Sequence, residues 1–335
     1  MSQPGGFEDS TNPNLVCKLH KSLYGLKQAP RAWNERFTNF LPSIGFTSSY
    51  ADPSLFVKAS GKSKIYLLLY VDDIIITGNS EMLITEVKQA LQHEFDMKDL
   101  GLLHFFLGLE IQYVPDGMFV SQHKYAKDLL HKAGLDDCQT HLTPCKSGLK
   151  LLRDTGKPLS TSDASFFRSL VGCLQYLTFT RPDIAYSVNS VCQFLHCPTE
   201  DHLIAAKRIL RYVKQSIDVG ILLRRGIGDT SNVPLQFQAY CDADWAGDPN
   251  DRKSTTGFVI LINGSPISWC SKKQSAVSRS STEAEYRSMA DTTSEIMWLS
   301  LLLKDLHIEL KDTPTLHCDN VSALALATNP IYHSS

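Results

Sequence analysis

No stretch of this 335-residue chain approaches the roughly 18 consecutive apolar residues that a membrane-crossing helix needs, so a helical membrane protein is excluded. The opening Gln3-Pro4-Gly5-Gly6 has neither the basic nor the apolar region of a secretory signal. Charge of one sign is also missing. With 33 Lys and Arg against 35 Asp and Glu, the formal net charge is −2, so any contact with a polyanion must come from local clustering. Nine cysteines, an odd and scattered number, form no disulfide framework and favour reduced thiols in an intracellular setting. Cys192, His196, Cys197 and His202 have the residue types of a zinc site, but the spacing fits no common finger and Pro198 interrupts it. No metal ligand is assigned there. Internal repeats and low-complexity tracts are absent. What is present is an ordinary content of 43% hydrophobic residues, enough to fill the cores of about two domains.

The most informative string is Tyr70-Val71-Asp72-Asp73, which separates the apolar runs 65–71 and 74–76. Two such runs of strand length predict a hairpin of buried strands with the acidic pair at its turn. Adjacent carboxylates repel each other and resist desolvation. A hard divalent cation such as Mg²⁺ relieves both, since it takes oxygen ligands and often only one or two carboxylates beside substrate phosphates. A solvated turn also explains an isolated Asp-Asp, so the neighbouring segments must decide.

Upstream lies Lys18-Leu19-His20-Lys21-Ser22-Leu23-Tyr24-Gly25-Leu26-Lys27-Gln28-Ala29-Pro30-Arg31-Ala32-Trp33. Pro30 suits the first turn of a helix, and Trp33, Phe37, Phe40 and Leu41 give that helix one apolar face. Lys18, Lys21, Lys27, Arg31 and Arg36 are opposed in the same stretch only by Glu35, a cationic surface suited to phosphates or simply to water. Gly25, without a side chain, allows backbone to approach a ligand closely.

Together these segments resemble reverse transcriptases, specifically the copia-type retrotransposon polyprotein. The resemblance implies that residues 23–33 border the nucleotide and template strand, with Tyr24, Gly25, Lys27, Gln28, Pro30, Arg31 and Tyr70 as binding residues. It implies that Asp72 and Asp73 are two of three polymerase carboxylates. The likeness continues through Phe95-Asp96-Met97-Lys98-Asp99-Leu100-Gly101 and through Phe106-Leu107-Gly108-Leu109-Glu110-Ile111, which looks like the hairpin that grips the primer end.

Residues 139–165, rich in Thr, Ser, Lys, Gly and Pro, read as an exposed connection. From Phe166 the pattern is helical, through the Thr180-Arg181-Pro182-Asp183 break, to a helix on which Lys207, Arg208, Arg211 and Lys214 alternate with an apolar face. That face fits a duplex backbone, and a solvated face fits the pattern equally. The span 141–230 carries twelve Lys and Arg against seven Asp and Glu. In the family this is the thumb and connection region.

The last hundred residues predict strands at 235–241 and 256–262, then Asn263-Gly264 as a hairpin turn into 266–271, a long helix, a short strand at 315–318 and a helix at 321–327. This order resembles ribonuclease H, and Tyr240-Cys241-Asp242-Ala243-Asp244-Trp245 and Ser281-Thr282-Glu283-Ala284-Glu285-Tyr286 are similar to its copia-type motifs. On the long helix Glu283 and Glu285 lie about 200° apart, so one faces the sheet. Stepping back four residues from the apolar stripe at Met289 lands on Glu285, while Ser280-x-x-Glu283 forms a capping box. Thr282-x-x-Glu285 fits the same box. Asp242 and Asp244 share one strand face by period two, and spacing does not separate them. The resemblance selects Asp242 and implies that Asp242, Glu285 and Asp319 hold two Mg²⁺ ions roughly 4 Å apart, with Mn²⁺ as a substitute. It further implies that His333 assists product release.

The expected architecture is α+β in three parts: a partial reverse-transcriptase palm over 1–138, a linker and thumb/connection-like helical region over 139–230, and a ribonuclease H-like mixed sheet flanked by helices over 231–335. Met1-Ser2-Gln3-Pro4-Gly5-Gly6-Phe7 resembles the stretch just downstream of the first polymerase carboxylate, so the fingers and that carboxylate are expected to be missing. Ser335 stands where the family has Arg, ahead of the final ribonuclease H aspartate. The expected partners are an RNA template, a DNA primer and an RNA–DNA hybrid, with no membrane. The expected activities are Mg²⁺-dependent nucleotidyl transfer and hybrid cleavage, impaired by the two missing segments. The competing reading is a non-catalytic remnant that only binds nucleic acid.

Overall fold

The computed structural model describes residues 2–20, 23, 25–148, 150–226 and 235–329. Among them are eight α-helices and twelve strands in three four-stranded sheets, a mixed α and β protein. Packing divides the chain into two compact units, residues 1–101 with 301–308, and residues 102–300 with 309–335.

In the first unit, Pro30 opens helix α1 (Ala29–Phe40). Strands β1 (Thr47–Ser48), β2 (Leu55–Ser60), β3 (Ser63–Tyr70) and β4 (Asp73–Gly78) follow and pair antiparallel in that order. Helix α2 (Glu81–Glu94) is capped by the Ser80 hydroxyl, which accepts from Leu83 N–H. The apolar stripe of α1, the Val87 and Leu91 face of α2 and one face of the sheet make the core, with Phe37, Leu41, Ile65 and Leu67 fully buried. Phe95 ends α2 among the rings of Trp33, Phe37 and Phe40, at centroid distances of 5.3, 5.2 and 5.4 Å.

The hairpin strands are not buried on both faces, as the unbroken apolar runs suggest. On β3 only Ile65, Leu67 and Leu69 are buried, and Tyr70 is exposed. Strand alternation leaves Lys64, Tyr66 and Leu68, on the opposite face of β3, half-buried. The residues at 301–308 return to this unit. Asp305 accepts from Ser49 Oγ, Tyr50 N and Ala51 N at 2.7, 2.8 and 2.9 Å, and the Tyr66 hydroxyl donates to Leu306 O at 2.8 Å.

The second unit begins with β5 (Phe105–Phe106), β6 (Leu109–Val114) and β7 (Gly117–Ser121), then helices α3 (His123–Lys132), α4 (Thr161–Leu177), α5 (Ala185–Cys192) and α6 (Glu200–Gln215). Strand β8 (Ile221–Arg224) completes an antiparallel sheet β5-β6-β7-β8. Phe167, Leu170, Leu174, Val188, Ile209 and Val213 are among the buried residues that join the four helices in one core. At the break before α5, Arg181 is only 2% exposed. Its guanidinium donates to both Asp183 oxygens at 2.9 and 2.7 Å and to Ser216 O at 2.8 Å, so the buried charge is paired.

The connection before α4 is mostly exposed yet tethered. Lys214 Nζ donates to Cys138 O at 2.8 Å, Arg208 donates to Thr143 Oγ1 at 2.9 Å, and Asn250 accepts from Arg153 N and donates to Leu151 O. The basic face of α6 is therefore half-covered, not freely solvated. His202 is fully buried, stacks on Phe194 at 3.8 Å and uses both ring nitrogens, Nδ1 at Thr199 and Nε2 at Leu152 O. Burial lowers its pKa, consistent with a neutral structural ring.

The third sheet has the order β11-β10-β9-β12, from β9 (Phe237–Asp244), β10 (Thr255–Ile262), β11 (Ser265–Lys273) and β12 (Thr315–His317). Strand β10 pairs antiparallel with both β9 and β11, while β12 runs parallel to β9. Asn263 and Gly264 both have positive φ, 50° and 73°, as a two-residue hairpin turn demands. Helix α7 (Ser281–Asp305) crosses this sheet, and α8 (Val321–Thr328) is capped by Asn320 accepting from Ala323 N–H.

Candidate functional site

Two carboxylate groupings emerge, one in each unit. In the first, β3 and β4 close on the pair Tyr70 and Asp73, leaving Val71 and Asp72 as the turn. Val71 has φ 53°, a costly conformation for a β-branched residue. The Trp33 indole N–H donates to Val71 O at 2.8 Å, so the helix that follows the basic loop holds the turn from 38 residues away. Asp72 and Asp73 are both exposed, and among the described residues no third His, Cys, Asp or Glu converges with them.

The basic loop is only partly free to meet phosphate. Gly25 has φ 87°, a left-handed value, and Leu26 N–H returns to Leu23 O at 3.3 Å, so the glycine serves a turn. Gln28 takes the N-cap position of α1 without a side-chain bond, and Pro30 lies in the first turn. Arg31 pairs with Glu35 and Arg36 with Glu94, both at 2.9 Å, which removes two of the five cations from the count. Lys27 is exposed. Tyr24 lies outside the described residues, and so does His333.

In the second unit the carboxylates come from three elements. Along β9 burial alternates, with Cys241 and Ala243 inward and Tyr240, Asp242 and Asp244 outward. Glu285 on α7 is 6% exposed and accepts from Ala243 N–H at 3.1 Å. Two turns are thereby fixed against the strand, because Ser288, one turn on, donates to Asp242 O at 2.8 Å. Glu283 points elsewhere. It caps the helix by accepting from Arg279 N at 2.8 Å and pairs with Arg287 at 2.9 Å, while its own N–H meets Ser280 Oγ at 3.1 Å.

Asp319 follows β12 after one residue, Cys318. Ligand atoms of Glu285, Cys318 and Asp319 all lie within 4.8 Å of one another. Burial raises the Glu285 pKa; the Ala243 N–H bond works against this, and the charges of Asp242 and Asp319 add to the rise. A buried carboxyl crowded by two others is what a divalent cation would relieve, so these donors fit a hard oxygen-seeking metal. Asp242, Asp319, Tyr240, Cys241, His317 and Cys318 line an open hollow of about 340 Å³.

Asp244 differs from Asp242 in its neighbours. A Cβ at Gly247 would come within 2.0 Å of Asp244 Oδ2, and Asp244 also acts on the Tyr186 hydroxyl, whose pKa is raised by burial first and by this charge second. Asp242 instead acts on Glu285. Period two gives the strand face but not these contacts. Sequence reasoning also passed over Trp33 and Ser288 as holders of the two sites. For Trp33 the signal was an indole N–H that needs a partner when its ring is packed.

The chain matches the family model for reverse transcriptase (RNA-dependent DNA polymerase) over residues 1–147. It is 50% identical over 334 residues to the retrovirus-related Pol polyprotein from transposon RE1 of Arabidopsis thaliana, covering 100% of this chain and 22% of that protein. The corresponding polyprotein from transposon RE2 is 47% identical over the same length, with 22% of it covered. A putative transposon Ty5-1 protein, YCL074W of Saccharomyces cerevisiae, is 34% identical over 299 residues, 88% of this chain and 94% of that protein. The chain thus spans about a fifth of the length of the two Arabidopsis relatives. No solved structure matches it. With the acidic turn and basic loop inside the matched segment, the chain belongs to the copia-type retrovirus-related Pol polyproteins of transposons and carries their reverse transcriptase family domain.

Proposed function

We propose that this chain supplies two divalent-metal sites of a retrotransposon RNA-directed DNA polymerase with ribonuclease H, acting on an RNA template, a DNA primer and an RNA–DNA hybrid. The three-part division into palm-like, thumb-like and ribonuclease H-like segments, at 1–138, 139–230 and 231–335, belongs to this reading. The observation that carries it is the meeting of Glu285 and Asp319 from different elements, with Asp242 acting on the same buried carboxyl. The sheet order β11-β10-β9-β12, with β12 alone parallel, supports a ribonuclease H-like fold for the last segment.

Asp242, Glu285 and Asp319 would hold Mg²⁺, with Mn²⁺ as a substitute. A bound pair of such ions supplies an activated water and charge stabilisation for the leaving oxygen of a phosphodiester. The protein's own part is positioning. Ala243 N–H fixes one Glu285 oxygen and leaves the other toward Cys318 and the cluster, while Ser288 locks α7 to the β9 backbone. Tyr240 and His317, stacked at 4.6 Å, form an aromatic rim on the hollow suited to a sugar or base.

In the first unit Asp72 and Asp73 offer two of the three carboxylates of a nucleotidyl-transfer site, on a turn held by Trp33. Mg²⁺-dependent cleavage of the RNA strand of a hybrid, with Asp242→Asn as control, tests the nuclease reading. Cleavage lost in the variant supports it, and equal signals from both proteins overturn it. Template-primed nucleotide incorporation, compared with Asp72→Asn, tests the other site.

A second reading, a chain that binds hybrid without cutting it, has its own support. Arg208 and Arg211 on α6 are half-exposed side chains, and after desolvation their charges lower the pKa of His141. Hybrid binding in EDTA that weakens in Arg211→Ala, with no cleavage in Mg²⁺, would favour this reading.

A further inference from the structure

The metal cluster contains sulfur that a magnesium nuclease does not need. Strand β12 runs parallel to β9 with His317 opposite Tyr240, so the next residues, Cys318 and Cys241, are neighbours. Each stands directly before an acidic residue, Asp319 and Asp242. Cys318 Sγ is 4.0 Å from Glu285 Oε2, and no ligand atom of the Glu285, Cys318 and Asp319 set is more than 4.8 Å from another. Both cysteines line the open hollow, so an ion can reach them.

Hard Mg²⁺ binds oxygen and leaves thiols alone, whereas a mixed sulfur and carboxylate set suits Zn²⁺, Co²⁺ and Cd²⁺. In a tetrahedral zinc site the donors stand about 3.5 Å apart, given bonds of roughly 2.0–2.3 Å. The three donors here need to close by about 1.3 Å at most. Zn²⁺ also outranks Mg²⁺ at nearly any site with a soft donor.

We propose that this cluster binds one thiophilic divalent cation of the Zn²⁺ class through Cys318 Sγ, Glu285 and Asp319, and that this ion competes with Mg²⁺ for the shared carboxylates. On binding, the Cys318 S–H bond breaks, its proton leaves to solvent and a sulfur–metal bond forms, with no change of oxidation state. The binding half stands on these residues alone. Only the competitive consequence rests on the nuclease reading above.

The test uses the full chain, reduced, titrated with Co²⁺ alone as an optical probe and then with Zn²⁺. The expected result is a thiolate-to-cobalt charge-transfer band that Zn²⁺ abolishes. Exposed Cys17, Cys145 and Cys197 can add background, so the decisive comparison is with Cys318→Ser. That variant should lose the Zn²⁺-sensitive band and weaken Co²⁺ binding on the order of 10–100-fold or more, the scale at which even indirect ligand changes act. Asp319→Asn should keep the sulfur band and weaken affinity, which covers the case of a Cys318 variant that does not fold by circular dichroism. A wild-type chain without the band, or a band of unchanged intensity in Cys318→Ser, overturns the site.

Cleavage then separates the two proposals. Hybrid cleavage in Mg²⁺ that Zn²⁺ inhibits in the wild type, with inhibition relieved in Cys318→Ser, supports competition. Cobalt binding through Cys318 without any cleavage in Mg²⁺ sinks the nuclease reading and leaves the metal site standing. Cleavage that Zn²⁺ inhibits equally in both proteins keeps the nuclease reading and overturns competition through Cys318.

Discussion

The two carboxylate groupings differ in how much of a metal site each brings by itself. Asp72 and Asp73 are neighbours in sequence on an exposed turn, and among the described residues no third ligand joins them. Glu285, Asp319 and Asp242 come from a helix, a strand end and a strand, and burial first, then the charges of the other two, raise the Glu285 pKa. On the proposed reading, the first is an open platform that substrate phosphates would complete. The second is a prebuilt cluster whose repulsion is already present in the folded protein and, on the proposed reading, would be relieved by a cation.

The sharpest break between them is Asp319→Asn. It should lower Mg²⁺-dependent hybrid cleavage by on the order of 100-fold or more, while Asp72→Asn leaves hybrid cleavage unchanged. A comparable loss in both variants would erase the distinction.

Next in size is the support of the open turn. Trp33→Ala removes packing on Phe37 and Phe95 together with the bond to Val71 O, and should cost about 2–3 kcal/mol. Trp33→Phe keeps most of the packing and should cost about 1 kcal/mol, the value of the lost hydrogen bond. Denaturant titration of both variants checks the ratio.

The prebuilt cluster makes a pH prediction. In the folded chain the Glu285 pKa lies above its ordinary value of 4.5, so between the two values the folded state binds more protons than the unfolded one. Stability of the metal-free protein therefore falls through this interval as pH rises, and the loss persists at neutral pH. Glu285→Gln should raise the metal-free melting temperature at neutral pH by roughly 2–4 °C, and saturating Mg²⁺ should reverse the ranking. Asp73→Asn should change neither. The smallest effect belongs to Val71→Gly, which relieves a φ of 53° against the entropic cost of glycine, for a net gain below about 1 kcal/mol.

These contrasts follow what the sequence could say. Local signals worked where the cause was local. Asn263-Gly264 specified its turn, the Ser280 to Glu283 spacing specified a helix start, and counting back from Met289 put Glu285 inward. Period two could not separate Asp242 from Asp244, because what separates them is a glycine turn at 247 and a helix 40 residues on. The unbroken apolar runs around Asp72 suggested two buried faces, yet on β3 only the face of Ile65, Leu67 and Leu69 is buried, and coverage is a tertiary property. Charge counts failed for a similar reason. Arg36 is matched by Glu94 and Lys214 by the Cys138 carbonyl, partners far away in sequence. The Ser- and Thr-rich connection is exposed, as its composition suggests, but its ties to Asn250 and His202 are not written in that composition.

The prebuilt cluster can be tested without any assay of turnover. Crystals of the reduced chain soaked in Mn²⁺ should show anomalous density within coordination distance of Asp242, Glu285 and Asp319 together, and none at those residues in Glu285→Gln. Density confined to Asp72 and Asp73, or unchanged density in the Gln variant, would contradict the assignment of these three carboxylates to one metal centre.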